Sequence, residues 1–132
     1  MIIYNKPTVT ITYVSDMEYI HVLWKEYTLS SEFHKAIDFM FDFMLRENLY
    51  RLLSNITEQS VVSPGDQDYT RNKTIQFVNS AGRFKSAFVV RPKSPSTYGA
   101  MRFSRLLLKE TGLELNRLFE SEEEAVEWLI KD

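Results

Sequence analysis

The residues best placed to do chemistry lie between Leu49 and Gln67. There LYRLLSNITEQSVVSPGDQ runs from an apolar strand through Ser54-Asn55 to a helix start at Ser63-Pro64. In open α/β sheets, ligands and partners meet the protein where strand ends give way to helix starts. Asn55, Ser63 and Asp66 are therefore the candidate partner- or ligand-binding residues. An enzyme would draw on the same turn, with Ser54, Asn55, Ser63 and Asp66 supplying hydroxyl, amide and carboxylate groups. Little else supports catalysis. The chain has two histidines and no cysteine, and neither His21 nor His34 has a carboxylate at ligand spacing, so no dedicated metal site is expected. His21 falls inside a strand and His34 on the solvent side of a helix, so both read as packing or surface residues. No serine sits in a G-x-S-x-G elbow. The four glycines form no phosphate loop. The reading is non-enzymatic, with no cofactor.

A second chemistry is anion binding. Ser94, Ser96 and Thr97 precede a helix whose free N–H groups favour negative charge, and Arg91 and Lys93 stand beside them. Arg102 and Arg105 continue the basic character along that helix. The charge is segregated: net −5 over residues 1–69, +9 over 70–109 and −6 over 110–132. Such blocks can place opposite potentials on different faces, or simply balance one another as solvated surface. An acidic or phosphate-bearing partner fits the basic block. Nucleic acid is not expected, because the acidic flanks would repel it and no DNA or RNA motif is present. The triplets Asn55-Ile56-Thr57 and Asn72-Lys73-Thr74 match the glycosylation pattern, which carries little weight without a secretion signal.

The composition is that of one globular domain over residues 1–132: 44% hydrophobic and 26% charged, with a high 14% aromatic. No apolar run approaches the roughly 18 residues of a membrane span. The opening MIIYNKPTVTITYV does not read as a signal peptide, and a cytoplasmic protein is the expectation.

The positioning elements follow from periodicity. Thr8–Val14 alternates strictly, with Val9, Ile11 and Tyr13 on one face, as a half-buried strand does. Glu18–Trp24 is apolar on both faces and completes a hairpin, with a short extra strand over Met1–Tyr4. Ser30 or Ser31 caps a helix running to about Glu47. Its only polar stripe is Lys35, Asp38, Asp42 and Arg46, leaving an apolar arc of roughly 240°, far wider than the ~100° stripe of a helix packed on one side. Phe39, Phe41 and Phe43 lie on that arc. Its cover is another part of the same domain, a second copy in a homodimer, or an apolar ligand.

Leu49–Ile56 is the third strand, joined by a parallel crossover. Ser63-Pro64 opens a helix that weakens over Thr70–Thr74 and ends at Gly82. Lys85–Arg91 is the fourth strand, a helix spans about Tyr98 to Thr111, and Leu113–Phe119 is the fifth strand. Ser121-Glu122-Glu123-Glu124 forms a capping box for the last helix. The predicted fold is α/β: a mixed five-stranded sheet with an N-terminal antiparallel hairpin, parallel crossovers and four to five helices.

This order of elements resembles the bacterial STAS superfamily of anti-sigma-factor antagonists, and more closely its SpoIIAA-like branch. The resemblance is carried by Trp24, Ser30-Ser31-Glu32-Phe33, Leu52-Leu53-Ser54-Asn55 and Ser63-Pro64-Gly65-Asp66-Gln67. Phe84-Lys85-Ser86-Ala87-Phe88-Val89-Val90 and the ending from Phe119 to Leu129 extend it over most of the chain from residue 19. It implies a switch serine at the strand-to-helix turn, phosphorylated by a partner kinase. Counting from Asn55 places Ser63 at the acidic position of that motif and Pro64 at the serine, and proline cannot be phosphorylated. Ser63 is the nearby hydroxyl, and helix capping already accounts for it. The expected function is a non-enzymatic interaction or regulatory domain, dimeric through its first helix. The alternative is a domain that binds a small apolar ligand or lipid against that helix.

Overall fold

The computed structural model describes residues 1–131. Ten elements follow one another: β1 (Ile2–Lys6), β2 (Val9–Val14), β3 (Tyr19–Glu26), α1 (Ser30–Arg46), β4 (Arg51–Gln59), α2 (Pro64–Ala81), β5 (Lys85–Val89), α3 (Pro95–Thr111), β6 (Asn116–Phe119) and α4 (Glu122–Leu129). The strands lie in one sheet in chain order. β1, β2 and β3 are antiparallel neighbours, and β3 through β6 pair in parallel. The expected mixed α/β sheet thus forms, with six strands instead of five. The sixth is the N-terminal strand, longer than the short stretch anticipated because its pairing with β2 continues to Lys6 opposite Val9.

Strand periodicity sorts the core into two layers. Val9, Ile11, Ile20, Val22, Leu52 and Ile56 face α1, α2 and α3, in one large cluster with Phe33, Met40, Phe41 and Phe77. Tyr19, Leu53, Ala87 and Val89 face α4 and pack on Ala125 and Leu129. β4 and β5 are covered on both faces, as apolar parallel strands should be.

The breadth of α1's apolar arc is accounted for within the chain. Phe41 turns inward to Phe77 of α2 and to Phe84, with ring centroids 5.2 and 5.9 Å away. Phe39 and Phe43 turn to the hairpin, where Tyr4 and Tyr13 meet them at 4.9 and 5.5 Å. The face expected to need cover beyond its own sheet is therefore occupied by β1, β2 and α2. The helix needs a wide arc because the sheet extends two strands beyond it and α2 flanks its other side.

Several boundaries differ from the sequence reading, each for a tertiary reason. α2 is continuous through Thr70–Thr74, whose hydroxyls donate to Asp66 O at 2.9 Å and Thr70 O at 2.7 Å, one turn back. α1 is not capped by serine: its N-cap is Leu29, and the Ser30 hydroxyl donates instead to Asp66 Oδ2 at 2.9 Å. α3 begins at Pro95, behind the cap Ser94. β4 runs on to Gln59 because it pairs with β3 as far as Glu26. β6 begins at Asn116, where pairing with β5 begins. The glycine stops hold: Gly82 and Gly112 take φ of 81° and 74°, a left-handed conformation that costs glycine little.

Candidate functional site

Between the sheet and its three-helix layer the core is not filled. A cavity of about 100 Å³ lies there. Trp24 of β3, Leu52, Ser54 and Ile56 of β4, Ser86 and Phe88 of β5, and Asn116 of β6 form its sheet side. Phe33, Ile37, Met40 and Phe41 of α1 wall it, as do Gln67, Thr70 and Thr74 of α2 and Gly99, Ala100 and Phe103 of α3. Val61 and Pro95 also line it and are exposed, which marks the mouth. The mouth therefore opens at the carboxyl ends of β4 and β5, between the β4–α2 loop and the start of α3. Open α/β sheets hold their ligands at such strand ends. This is the end of the Leu49–Gln67 stretch, though the cavity uses Ser54, Val61, Val62 and Gln67 more than the residues singled out there.

Those residues divide between two other clusters. Asn55 faces away from the cavity, toward α4: its Nδ2 donates to Glu122 Oε2 at 2.6 Å, and its Oδ1 accepts from Thr57 N at 3.0 Å. His21 Nε2 reaches the same carboxylate at 3.0 Å. Burial would raise the Glu122 pKa, but the bonds from Asn55 and His21 and the charge of His21 outweigh it and hold the carboxyl below its ordinary value. His21 is thus an anchor for the start of α4.

Ser63 and Asp66 stand together at the start of α2. Ser63 is its N-cap, accepting from Asp66 N at 3.2 Å, with Pro64 at the first helical position. The Asp66 carboxylate is 7% exposed and joins α1 to α2, taking the Ser30 hydroxyl on one oxygen and His34 Nε2, at 2.8 Å, on the other. His34, expected to be a solvent-facing residue, is instead held in this joint and stacks on Tyr69 with centroids 3.8 Å apart. The i-to-i spacing on one helix could not reveal a partner that another helix supplies.

Tyr69 continues the joint by donating its hydroxyl to Asp38, which also pairs with Lys73 at 3.2 Å. Burial, then the hydrogen bond and charge of Asp38 and the charge of Asp42, push the Tyr69 phenol up to about 12. A folded pKa above the unfolded value near 10 means the stabilisation is complete below about pH 10 and is lost as pH rises through about 12. Replacing Asp38 with asparagine should lower the Tyr69 midpoint toward 10, read from the tyrosine ring resonances; an unchanged midpoint would refute the part assigned to Asp38 and leave burial as the cause.

At the start of α3 the three hydroxyls anticipated for an anion have partners within the chain. Ser94 Oγ accepts from Thr97 N, Thr97 Oγ1 donates to Arg91 O at 2.5 Å, and Ser96 Oγ donates to Ile56 O at 3.3 Å. All three hydroxyls are buried and committed. Arg91 and Lys93 lie exposed in the preceding loop, and Arg102 and Arg105 are exposed further along α3. Other basic residues of that block serve the fold: Arg71 pairs with Asp68 at 2.9 Å, and Lys85 Nζ donates to Trp128 O at 2.6 Å at the end of α4.

No protein-family model and no curated protein matches the chain. Among solved structures, it resembles the crystal structure of an uncharacterized protein of the DUF3478 family from Shewanella loihica, described as having a SpoIIAA-like fold. The match covers 96% of this chain and 98% of that one, with a TM-score of 0.60 at 18% identity. The fold is SpoIIAA-like. At this identity the likeness speaks for the architecture alone. Pro64 lies inside the first turn of α2. Among the described residues no group of three or more histidine or carboxylate side chains is arranged to hold a metal, and no helix is long and apolar enough to cross a membrane.

Proposed function

We propose that this SpoIIAA-like domain is a non-enzymatic binding domain that encloses a small, largely apolar molecule between its sheet and the α1–α2–α3 layer. One observation carries the reading: a space of about 100 Å³ within the main apolar cluster, reached from the carboxyl ends of the central strands. Protein interiors are close-packed, and a void forfeits contacts on every wall, so an unfilled core beside a surface mouth favours an occupant. Phe41 fits the expectation of a ligand-facing α1, whereas Phe39 and Phe43 pack on the hairpin and take no part.

The non-enzymatic half of the reading rests on the lining. Among the described residues no carboxylate, histidine, lysine or arginine borders the cavity, so none of them stands as a general acid or base within reach of an occupant. Ser63 caps α2, Asp66 is engaged in the α1–α2 joint, and Asn55 lies on the opposite face of the sheet. A regulatory role would follow from occupancy, since the mouth is formed by the β4–α2 loop and Val61 there is 57% exposed.

The test is uptake of 1-hexanol, followed by the fluorescence of Trp24, which lines the cavity. Saturable uptake that is lost in an Ala100→Leu variant, whose larger side chain would occupy the space, supports the reading. Absence of saturable uptake in the unmodified protein would mean that the cavity is only a packing defect.

A further inference from the structure

The sheet side of the cavity is polar where its position calls for valine or isoleucine. β4 and β5 are central parallel strands covered on both faces, and such strands read as near-continuous apolar runs. Yet Ser54, Ser86 and Asn116 all point to the cavity. Ser86 and Asn116 are direct neighbours in the β5–β6 register, and Ser54 lies on the next strand. Asn116 is 8% exposed, and its Nδ2 has no hydrogen-bond partner. Leaving a buried amide donor unpaired costs about 1–3 kcal/mol.

A second unpaired atom belongs to a lining residue of the helix layer. Gln67 Nε2 donates to Val62 O at 2.9 Å, which fixes the amide and leaves its buried Oε1 without a donor. Asn116 pairs through Ser86 with the Leu52 level of the sheet, while Gln67 sits in the first turn of α2 beside Val62, close to the mouth. The cavity thus carries a donor at its inner end and an acceptor nearer its opening. Among the described residues its walls hold no charged side chain, so an ionised ligand would be buried without a counter-charge, at a cost far above that of a neutral one.

We infer that the cavity selects uncharged amphipathic molecules whose carbonyl-type oxygen is received by Asn116 Nδ2, and that it rejects carboxylates and ammonium ions of the same chain length. This inference rests on the cavity being a ligand site and adds the chemical class of the ligand. A hydroxyl or N–H nearer the mouth would donate to Gln67 Oε1. The enclosed part is small: a cavity of roughly 150 Å³ accepts benzene, so about 100 Å³ takes on the order of four heavy atoms, and the rest of a longer chain lies in the open mouth.

Four probes of equal chain length separate the alternatives: hexanamide, hexanoate, hexylammonium and hexane, each titrated at neutral pH against the full chain by protein NMR. Hexanamide should bind at least about 10-fold more tightly than the other three. In Asn116→Leu its advantage over hexane should vanish while hexane still binds, which shows the cavity intact. Gln67→Met, on a different element, should reduce the advantage independently. Equal binding of hexanamide and hexane to the unmodified protein would overturn the assigned class and leave the ligand site standing. Binding of hexanoate or hexylammonium as tight as that of the amide would overturn the selection for neutrality. Binding of none of the four would remove the site itself.

Discussion

Replacing Phe77 with alanine is expected to destabilise the protein by about 3–5 kcal/mol, the usual cost of emptying a large core site. Phe77 is 2% exposed and forms a triangle with Phe41 and Phe84, at 5.2 and 5.5 Å, while those two rings stand 5.9 Å apart. The triangle ties α2 to α1 and to the residue just before β5. Alanine would lose the burial of the ring, the tilted contact with Phe41 and the edge-on contact with Phe84, worth roughly 0.5–1.5 kcal/mol per pair, and the support of the neighbouring rings. Urea unfolding followed by far-UV circular dichroism measures the loss. Phe77→Leu should cost clearly less, since it retains most of the volume. A loss below about 1 kcal/mol for the alanine variant would mean that α2 relaxes into the space, and that the triangle does not hold the three-helix layer.

The second large effect is expected at Asp66. Asp66→Ala should cost about 2–3 kcal/mol, in the range for removing hydrogen bonds to a charged group. The carboxylate serves Ser30 and His34 of a different helix, and alanine leaves both without that acceptor. The cost stays below the 3–5 kcal/mol of breaking a fully buried pair, because the His34 side chain is 36% exposed and water can replace part of what it loses. The Ser63 cap survives, since it bonds the Asp66 backbone N–H and not the carboxylate. A double-mutant cycle with His34→Ala isolates the pair, and a coupling of about 1 kcal/mol is expected. If the two losses simply add, the Asp66–His34 bond contributes nothing measurable and the joint rests on Ser30 and apolar packing.

Together these two sites frame the cavity. Phe41 and Phe84 line it directly, and Asp66 immediately precedes Gln67 in the first turn of α2. The same layer that is fastened by an aromatic triangle and a carboxylate clasp leaves unfilled space between them.

How much of this was written in the chain depends on the range of the interaction. Strand faces were legible because the period of two is local: Val9, Ile11 and Tyr13 share a face, and so do Ile20, Val22 and Trp24. Helix ends were legible where a single side chain or backbone conformation decides them. Ser63 with Pro64, Ser121 with its glutamates, Gly82 and Gly112 all act within one turn, and all hold. Ser30 illustrates the limit. As a residue type it suits a cap, but a carboxylate 36 positions away competes for its hydroxyl and takes it. Thr70 and Thr74 show the reverse: poor helix formers in isolation, they are carried by the burial of Phe77 and by their own bonds to carbonyls one turn back.

By itself the sequence determined the α/β class, the antiparallel hairpin followed by parallel crossovers, and the SpoIIAA-like order of elements. These follow from hydrophobic period and turn chemistry, which act over a few residues. Only the tertiary structure decided what covers α1, because Tyr4, Tyr13 and Phe77 come from elements far apart along the chain. It alone turned Asn55 away from Ser63 and Asp66, since adjacent strand positions point to opposite faces and α4 returns to claim one of them. It alone placed Ser54, Ser86 and Asn116 around one cavity. Each serine is an ordinary residue within its own strand, and their meaning arises from the parallel register that lays β4, β5 and β6 side by side.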